Sequence, residues 1–125
     1  MIGLVVVSHS QKAAEGICEL AGEMGGKVPL EAAGGDNGEI GTNADRIGEA
    51  IAAADEGDGV VILVDLGSAV MNAELAIEMT AANAQIADTP VLEGAVNAAV
   101  EATSDKATID SVLEKAEDAR EYHKR

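Results

Sequence analysis

Met1 to Ser10, reading MIGLVVVSHS, is the stretch that decides the fold. Ile2, Leu4, Val5, Val6 and Val7, interrupted only by Gly3, make a short continuous β-branched run, the pattern of a strand buried on both faces. The run stops at Ser8-His9-Ser10, so His9 leaves the carboxyl end of a strand. In an open α/β sheet, the crevice beyond those ends is where ligands bind.

The following segments alternate between helical and strand patterns. Ser10 to Met24 places Ile17, Leu20, Ala21 and Met24 on one stripe of an amphipathic helix, closed by Gly25-Gly26. Val28 to Ala33 is a second strand, with Pro29 suited to a strand start or an edge. Gly34 to Thr42, GGDNGEIGT, is a loop with four glycines in its first eight positions, able to wrap its backbone round an anion. Thr42-Asn43-Ala44-Asp45 reads as a helix start of the S/T-x-x-D/E kind, and the helix buries Ile47, Ala50, Ile51 and Ala54. Val60 to Val64 is the clearest strand and ends at Asp65. Leu66-Gly67-Ser68 opens a helix to about Ala82, whose apolar residues Val70, Met71, Leu75, Ile77 and Met79 spread round several faces and predict cover on both sides. A short fourth strand is expected at Gln85 to Ala87, then a helix begun by Pro90 that buries Leu92, Ala95, Val96 and Ala99. A last helix from about Thr108 buries Ile109, Val112, Leu113 and Ala116, and Glu117 to Arg125 is a charged tail.

This alternation predicts one α/β domain over residues 1–125, with a doubly wound, mostly parallel four-stranded sheet and helices on both faces. Right-handed crossovers and two covering layers favour the order 2-1-3-4, whose switch point lies between the strands ending in His9 and Asp65. With Tyr122 the one aromatic residue among 125, the core must be built of small aliphatic side chains, which calls for close packing.

The charge balance is 23 acidic against 8 basic residues, a net charge of −15 without a basic cluster, which argues against nucleic acid and anionic membrane as partners. The acids lie on every predicted helix. Self-repulsion of that size is relieved by screening, so the composition predicts a halophilic host with a very salty cytoplasm. The alternative is a merely acidic mesophilic protein. A single cysteine, Cys18, excludes an internal disulfide, and the N-terminus lacks a basic leader, so a cytoplasmic location is expected.

Three features meet at one rim: the His9 imidazole, the glycine loop, and Asp65 followed by a helix start. Together they fit phosphoryl transfer. An imidazole with its unperturbed pKa of about 6.5 is a competent nucleophile at neutral pH and makes a labile P–N bond. Asp65 is placed to hold one ring nitrogen as N–H, leaving the other to carry its lone pair outward. Gly67 and Ser68, with Ser10 at the first helix, offer backbone N–H groups to phosphoryl oxygens, Gly35 belongs to the anion-wrapping loop, and Thr42 adds a hydroxyl. A helix cap or strand terminator remains the alternative for Asp65, and an ordinary turn for the glycine loop. His123 is a solvated tail residue. One credible His and no Cys pair give no metal site. Ser68, His9 and Asp65 could be drawn as a hydrolase triad, but the G-x-S-x-G elbow is absent. No nucleotide-binding motif is present.

VVVSHS at Val5 to Ser10, GGDNGEIGT at Gly34 to Thr42, VILVDLGSAVMNAE at Val61 to Glu74 and PVLEGAVNAAV at Pro90 to Val100 resemble, in this order and spacing, the mannose-family enzyme IIA proteins of the phosphoenolpyruvate-dependent phosphotransferase system (PTS). Ser8-His9-Ser10 and Asp65-Leu66-Gly67-Ser68-Ala69 resemble its dihydroxyacetone kinase branch. The resemblance implies a homodimer, cytoplasmic and serving glycerol metabolism. His9 would accept a phosphoryl group from the carrier HPr and pass it to ADP in a nucleotide-binding kinase subunit, where ATP/ADP and Mg reside, for use by a dihydroxyacetone-binding subunit. As the chain is expected to stop after this one domain, separate carrier proteins are implied. The alternatives are a sugar-permease IIA component donating to a IIB domain, and a non-enzymatic regulatory module with a structural His9.

Overall fold

The computed structural model describes residues 1–125. Its elements are β1 (Gly3–Ser8), α1 (Gln11–Gly25), β2 (Leu30–Gly34), α2 (Ala44–Ala54), β3 (Val60–Val64), a 3-10 turn (Gly67–Ala69) leading into α3 (Val70–Glu78), β4 (Ala84–Ala87), α4 (Val91–Ala102), α5 (Ile109–Glu117) and a second 3-10 turn (Asp118–Glu121). The four strands are all parallel in the order β2-β1-β3-β4, the expected doubly wound topology. β1 is central and fully buried: Ile2, Leu4 and Val6 pack beneath α1, α4 and α5, whereas Val5 and Val7 pack beneath α2 and α3. Each such side chain contributes about 1.5–3 kcal/mol of burial, which is why an unbroken aliphatic run goes to the middle strand. No helix is long and apolar enough to cross a membrane.

With so few large side chains, the layers close by proximity. An added methyl on Gly25 would come within 2.8 Å of the Ala99 Cβ on α4. The same closeness overturns one expectation for α1. Its inward line is Ala14, Ala21 and Gly25, with Ile17 and Cys18 partly buried, while Leu20 and Met24 are exposed, because small residues let α1 approach α4 and turn the bulkier ones outward.

Other boundaries shift for identifiable reasons. β2 begins at Leu30 because Pro29 contributes only its carbonyl, which accepts the Leu4 N–H at 2.8 Å. Asn43, not Thr42, caps α2, its side chain accepting the Arg46 N–H at 3.0 Å. α3 stops at Glu78, short of Ala82: the Met79 and Thr80 N–H groups fall back to carbonyls three residues earlier, and the Thr80 hydroxyl accepts the Ala82 N–H at 3.2 Å, a local bond that competes with the helix. Pro90 precedes α4 as its cap residue, and Thr108 caps α5 in a reciprocal box with Ser111. The charged tail is not wholly solvated, since the Asp118–Glu121 turn buries Ala119 and the Asn97 amide donates to the Tyr122 hydroxyl at 2.8 Å.

Candidate functional site

Register builds the site. Val7 pairs with Val64 and Ser8 with Gly34, so the next step of β2, β1 and β3 brings Ser8-His9, Gly35 and Asp65 side by side at the carboxyl rim. The rim is then laced from both flanks: the Gly35 N–H donates to the Ser8 carbonyl at 3.0 Å, the Asp65 N–H to the Val7 carbonyl at 3.0 Å, and the Gly41 N–H to the His9 carbonyl at 2.9 Å. Asn37 and Gly38, with φ of 51° and 88°, form the tight turn that lets residues 36 and 39 pair and the loop return to His9. Gly34 is required by proximity, since a Cβ there would sit 2.6 Å from the Gln11 Cα.

Asp65 is the hub. One carboxylate oxygen lies 3.0 Å from His9 Nδ1. The other accepts the His9 backbone N–H at 3.0 Å and the Ser8 hydroxyl at 2.9 Å. Burial pushes the Asp65 carboxyl up, but the bonds from the His9 backbone, the His9 ring and Ser8 outweigh it and hold the group below its ordinary value. Asp65 is therefore ionised at neutral pH and can only accept, so Nδ1 carries the proton. In the neutral ring, Nε2 then bears the lone pair. Ser68 Oγ lies 3.0 Å from Nε2, so its hydroxyl donates to that lone pair. The His9 side chain keeps 23% of its surface exposed, fixed at one nitrogen and reachable at the other.

The remaining expected residues are placed as follows. The Ser10 hydroxyl caps α1 by accepting the Ala13 N–H at 3.2 Å, and its own N–H donates to Ser8 Oγ at 3.1 Å. The N–H groups of Ser10 and Gly35 are thus engaged within the protein, whereas Gly67 and Ser68 stand exposed at the start of a helical turn, where N–H groups have no intrahelical acceptor. The Thr42 hydroxyl is tied to Asn72, whose amide nitrogen lies 2.7 Å away. Sequence reasoning missed two members, Ser8 and Asn72. Ser8 is the one buried polar residue of the molecule and braces Asp65 against α1. Its signal was a hydroxyl ending an otherwise aliphatic strand. His123 lies exposed at the tail, as expected.

No three His, Cys, Asp or Glu side chains come together as metal ligands. The largest depression, about 480 Å³, lies behind the glycine loop among Gln11, Asn43, Asp45 and Arg46, and none of His9, Asp65 and Ser68 lines it. The imidazole instead sits on the rim between Asp65 and Ser68.

Residues 3–113 match the family described as the PTS system fructose IIA component. The chain is 42% identical over 116 residues to the PTS-dependent dihydroxyacetone kinase phosphotransferase subunit DhaM of Lactococcus lactis, covering 90% of this chain and 94% of that protein. It is 38% identical over 128 residues to the phosphoryl donor subunit DhaM of the PEP-dependent dihydroxyacetone kinase of Providencia stuartii, covering 95% of this chain but only 27% of that longer protein. Among solved structures, a protein described as of unknown function superposes with a TM-score of 0.82 at 32% identity, over 95% of each chain. A PTS component EIIA from Streptococcus agalactiae shares the fold, with a TM-score of 0.67 at 18% identity over 93% of this chain and 89% of that one. With the match spanning nearly all of the domain, this chain belongs to the PTS fructose IIA component family.

Proposed function

We propose that this chain is the phosphocarrier subunit of a dihydroxyacetone kinase, loaded on His9 Nε2 by phospho-HPr and discharged to ADP held in a nucleotide-binding partner subunit. The observation that carries the reading is the polarised imidazole, with Nδ1 bound to an ionised Asp65 and Nε2 facing outward under Ser68. The names of relatives in the 40% identity range support the kinase branch over a sugar permease.

The chemistry follows from these atoms. The Nε2 lone pair attacks phosphorus as the P–N bond to the donor histidine breaks, and the donor nitrogen keeps that electron pair. The ring, substituted at one nitrogen and protonated at the other, becomes cationic, and the Asp65 carboxylate 3.0 Å from Nδ1 balances it. Before attack the Ser68 hydroxyl must leave the lone pair, and it is then free to donate to a phosphoryl oxygen, as are the Gly67 and Ser68 N–H groups. Discharge reverses these steps.

The setting of this activity is proposed with it: a salt-rich cytoplasm, glycerol metabolism, and a homodimer that covers the exposed Met71, Leu75 and Met79 of α3. Light scattering in molar KCl should give twice the chain mass, and melting temperature should rise steeply from dilute buffer to molar KCl. The function itself is tested by incubating the protein with phosphoenolpyruvate, enzyme I and HPr, and following intact mass. The expected result is one acid-labile phosphoryl group, absent in His9→Ala and discharged by the ADP-loaded subunit. Labelling without discharge would move the chain to the sugar-permease branch, and no labelling with active carriers would contradict the proposal.

A further inference from the structure

Asn72 lies on the first turn of α3, four residues after Ser68, and reaches across to the glycine loop. Its side-chain nitrogen is 2.7 Å from Thr42 Oγ1 and 3.3 Å from the Thr42 carbonyl oxygen. A carbonyl only accepts, so the group facing Thr42 is the amide NH2, and the Thr42 hydroxyl is the acceptor in this pair. Its single hydrogen is thereby directed away from Asn72. Thr42 is itself tied to the site, because the preceding residue, Gly41, donates to the His9 carbonyl at 2.9 Å. Asn72 thus joins the two flanks of the crevice, the loop after β2 and the turn after β3 whose Ser68 touches Nε2. Asn43 is engaged elsewhere, capping α2 and donating to Asp36 at 3.0 Å, so Thr42 has no capping duty to meet.

Resting on the phosphocarrier reading, we infer that Asn72 is a positioning residue: it fixes the polarity of the Thr42 hydroxyl, so that Thr42 donates its hydrogen to the phosphoryl group arriving on His9. In phosphoryl transfer the charge spreads over three equatorial oxygens, and a donor whose direction is set beforehand stabilises it without reorganisation.

The test uses the whole chain and phosphoramidate as a small-molecule donor, which removes any dependence on partner proteins. His9 Nε2 forms the new N–P bond, the P–N bond of phosphoramidate breaks, and ammonia leaves with the proton. His9→Ala sets the background from His123. If wild type gains no phosphoryl group above that background, the phosphocarrier reading itself fails. If it does, the inference is decided by a double-mutant cycle of Asn72→Ala and Thr42→Val, reading the labelling rate and the 31P shift of phospho-His9. Thr42→Val should slow labelling about 10- to 100-fold, the value of one hydrogen bond to a charged group, and Asn72→Ala by no more than that; each should move the 31P resonance, while the double variant should be no slower than the slower single. Thr42→Ser should retain the wild-type rate. A Thr42→Val protein that labels at the wild-type rate, or single effects that multiply in the double variant, would overturn it. Thr42→Val carries the decision if Asn72→Ala lowers the melting temperature.

Discussion

At the amino rim of the sheet, backbone groups do the closing. The Gly3 N–H donates to the Gly59 carbonyl and the Val60 N–H to the Asn83 carbonyl, each at 2.9 Å, and Gly3 packs directly under the Ala54 carbonyl. Charge there stays outside, in the exposed pairs of the Met1 ammonium with Glu56 at 3.2 Å and Asp58 at 2.7 Å. At the carboxyl rim the same strands end in a part-buried side-chain network, Ser8, His9, Asp65 and Ser68, centred on a carboxylate whose burial works against its ionisation. Closing a sheet does not require that network, as the other rim demonstrates. The contrast assigns stability to one end and chemistry to the other, and substitutions should separate them.

The largest expected effect is from Asp65→Asn. The oxygen that accepts both Ser8 and the His9 backbone will keep the amide carbonyl, which turns the NH2 toward Nδ1 and forces the proton onto Nε2. Phosphoryl transfer should fall on the order of 10²–10⁴-fold in a stopped-flow or quench assay, with the fold retained. The same variant carries a pH signature. Because the Asp65 carboxyl is lowered in the folded state, its stabilisation is complete above the unfolded carboxylate value and is lost as pH falls through the folded one. Acid titration of wild type should therefore show a steeper loss of stability below about pH 4 than Asp65→Asn does.

Next, at the other rim, Gly3→Ala drives a methyl into the backbone of Ala54, which cannot move without α2. It should cost about 1–3 kcal/mol in urea unfolding, while the transfer rate per folded molecule stays at the wild-type value. Thr108→Ala removes the cap of α5 and should cost about 1 kcal/mol, again with transfer unchanged. Smallest is Asp58→Asn, where one exposed partner of the Met1 ammonium is lost and calorimetry should register no shift. A transfer defect from Gly3→Ala or Thr108→Ala at full folding would erase the distinction between the rims.

Much of this architecture was legible in the chain. An aliphatic run ending in Ser8-His9-Ser10, a glycine loop and a second run ending in Asp65 fixed the strand order and brought His9 to Asp65, because parallel strands with two covering layers leave few arrangements. Less legible was anything decided by competition between neighbours. Thr42 and Asn43 are both good caps; Asn43 closes α2, while the Thr42 hydroxyl meets Asn72, a residue thirty positions away in sequence. Leu20 and Met24 fit the helical period as well as Ala14 and Gly25 do, and only the approach of α4 selects the smaller set. Ser8 looked like a strand end until Asp65 stood beside it.

The most direct test of the account is two-dimensional 1H–15N NMR of the ring of His9 after loading by phospho-HPr. Phosphorus on Nε2, with Nδ1 retaining a proton hydrogen-bonded to Asp65, is the predicted result. Phosphorus on Nδ1, or on any residue other than His9, would contradict it.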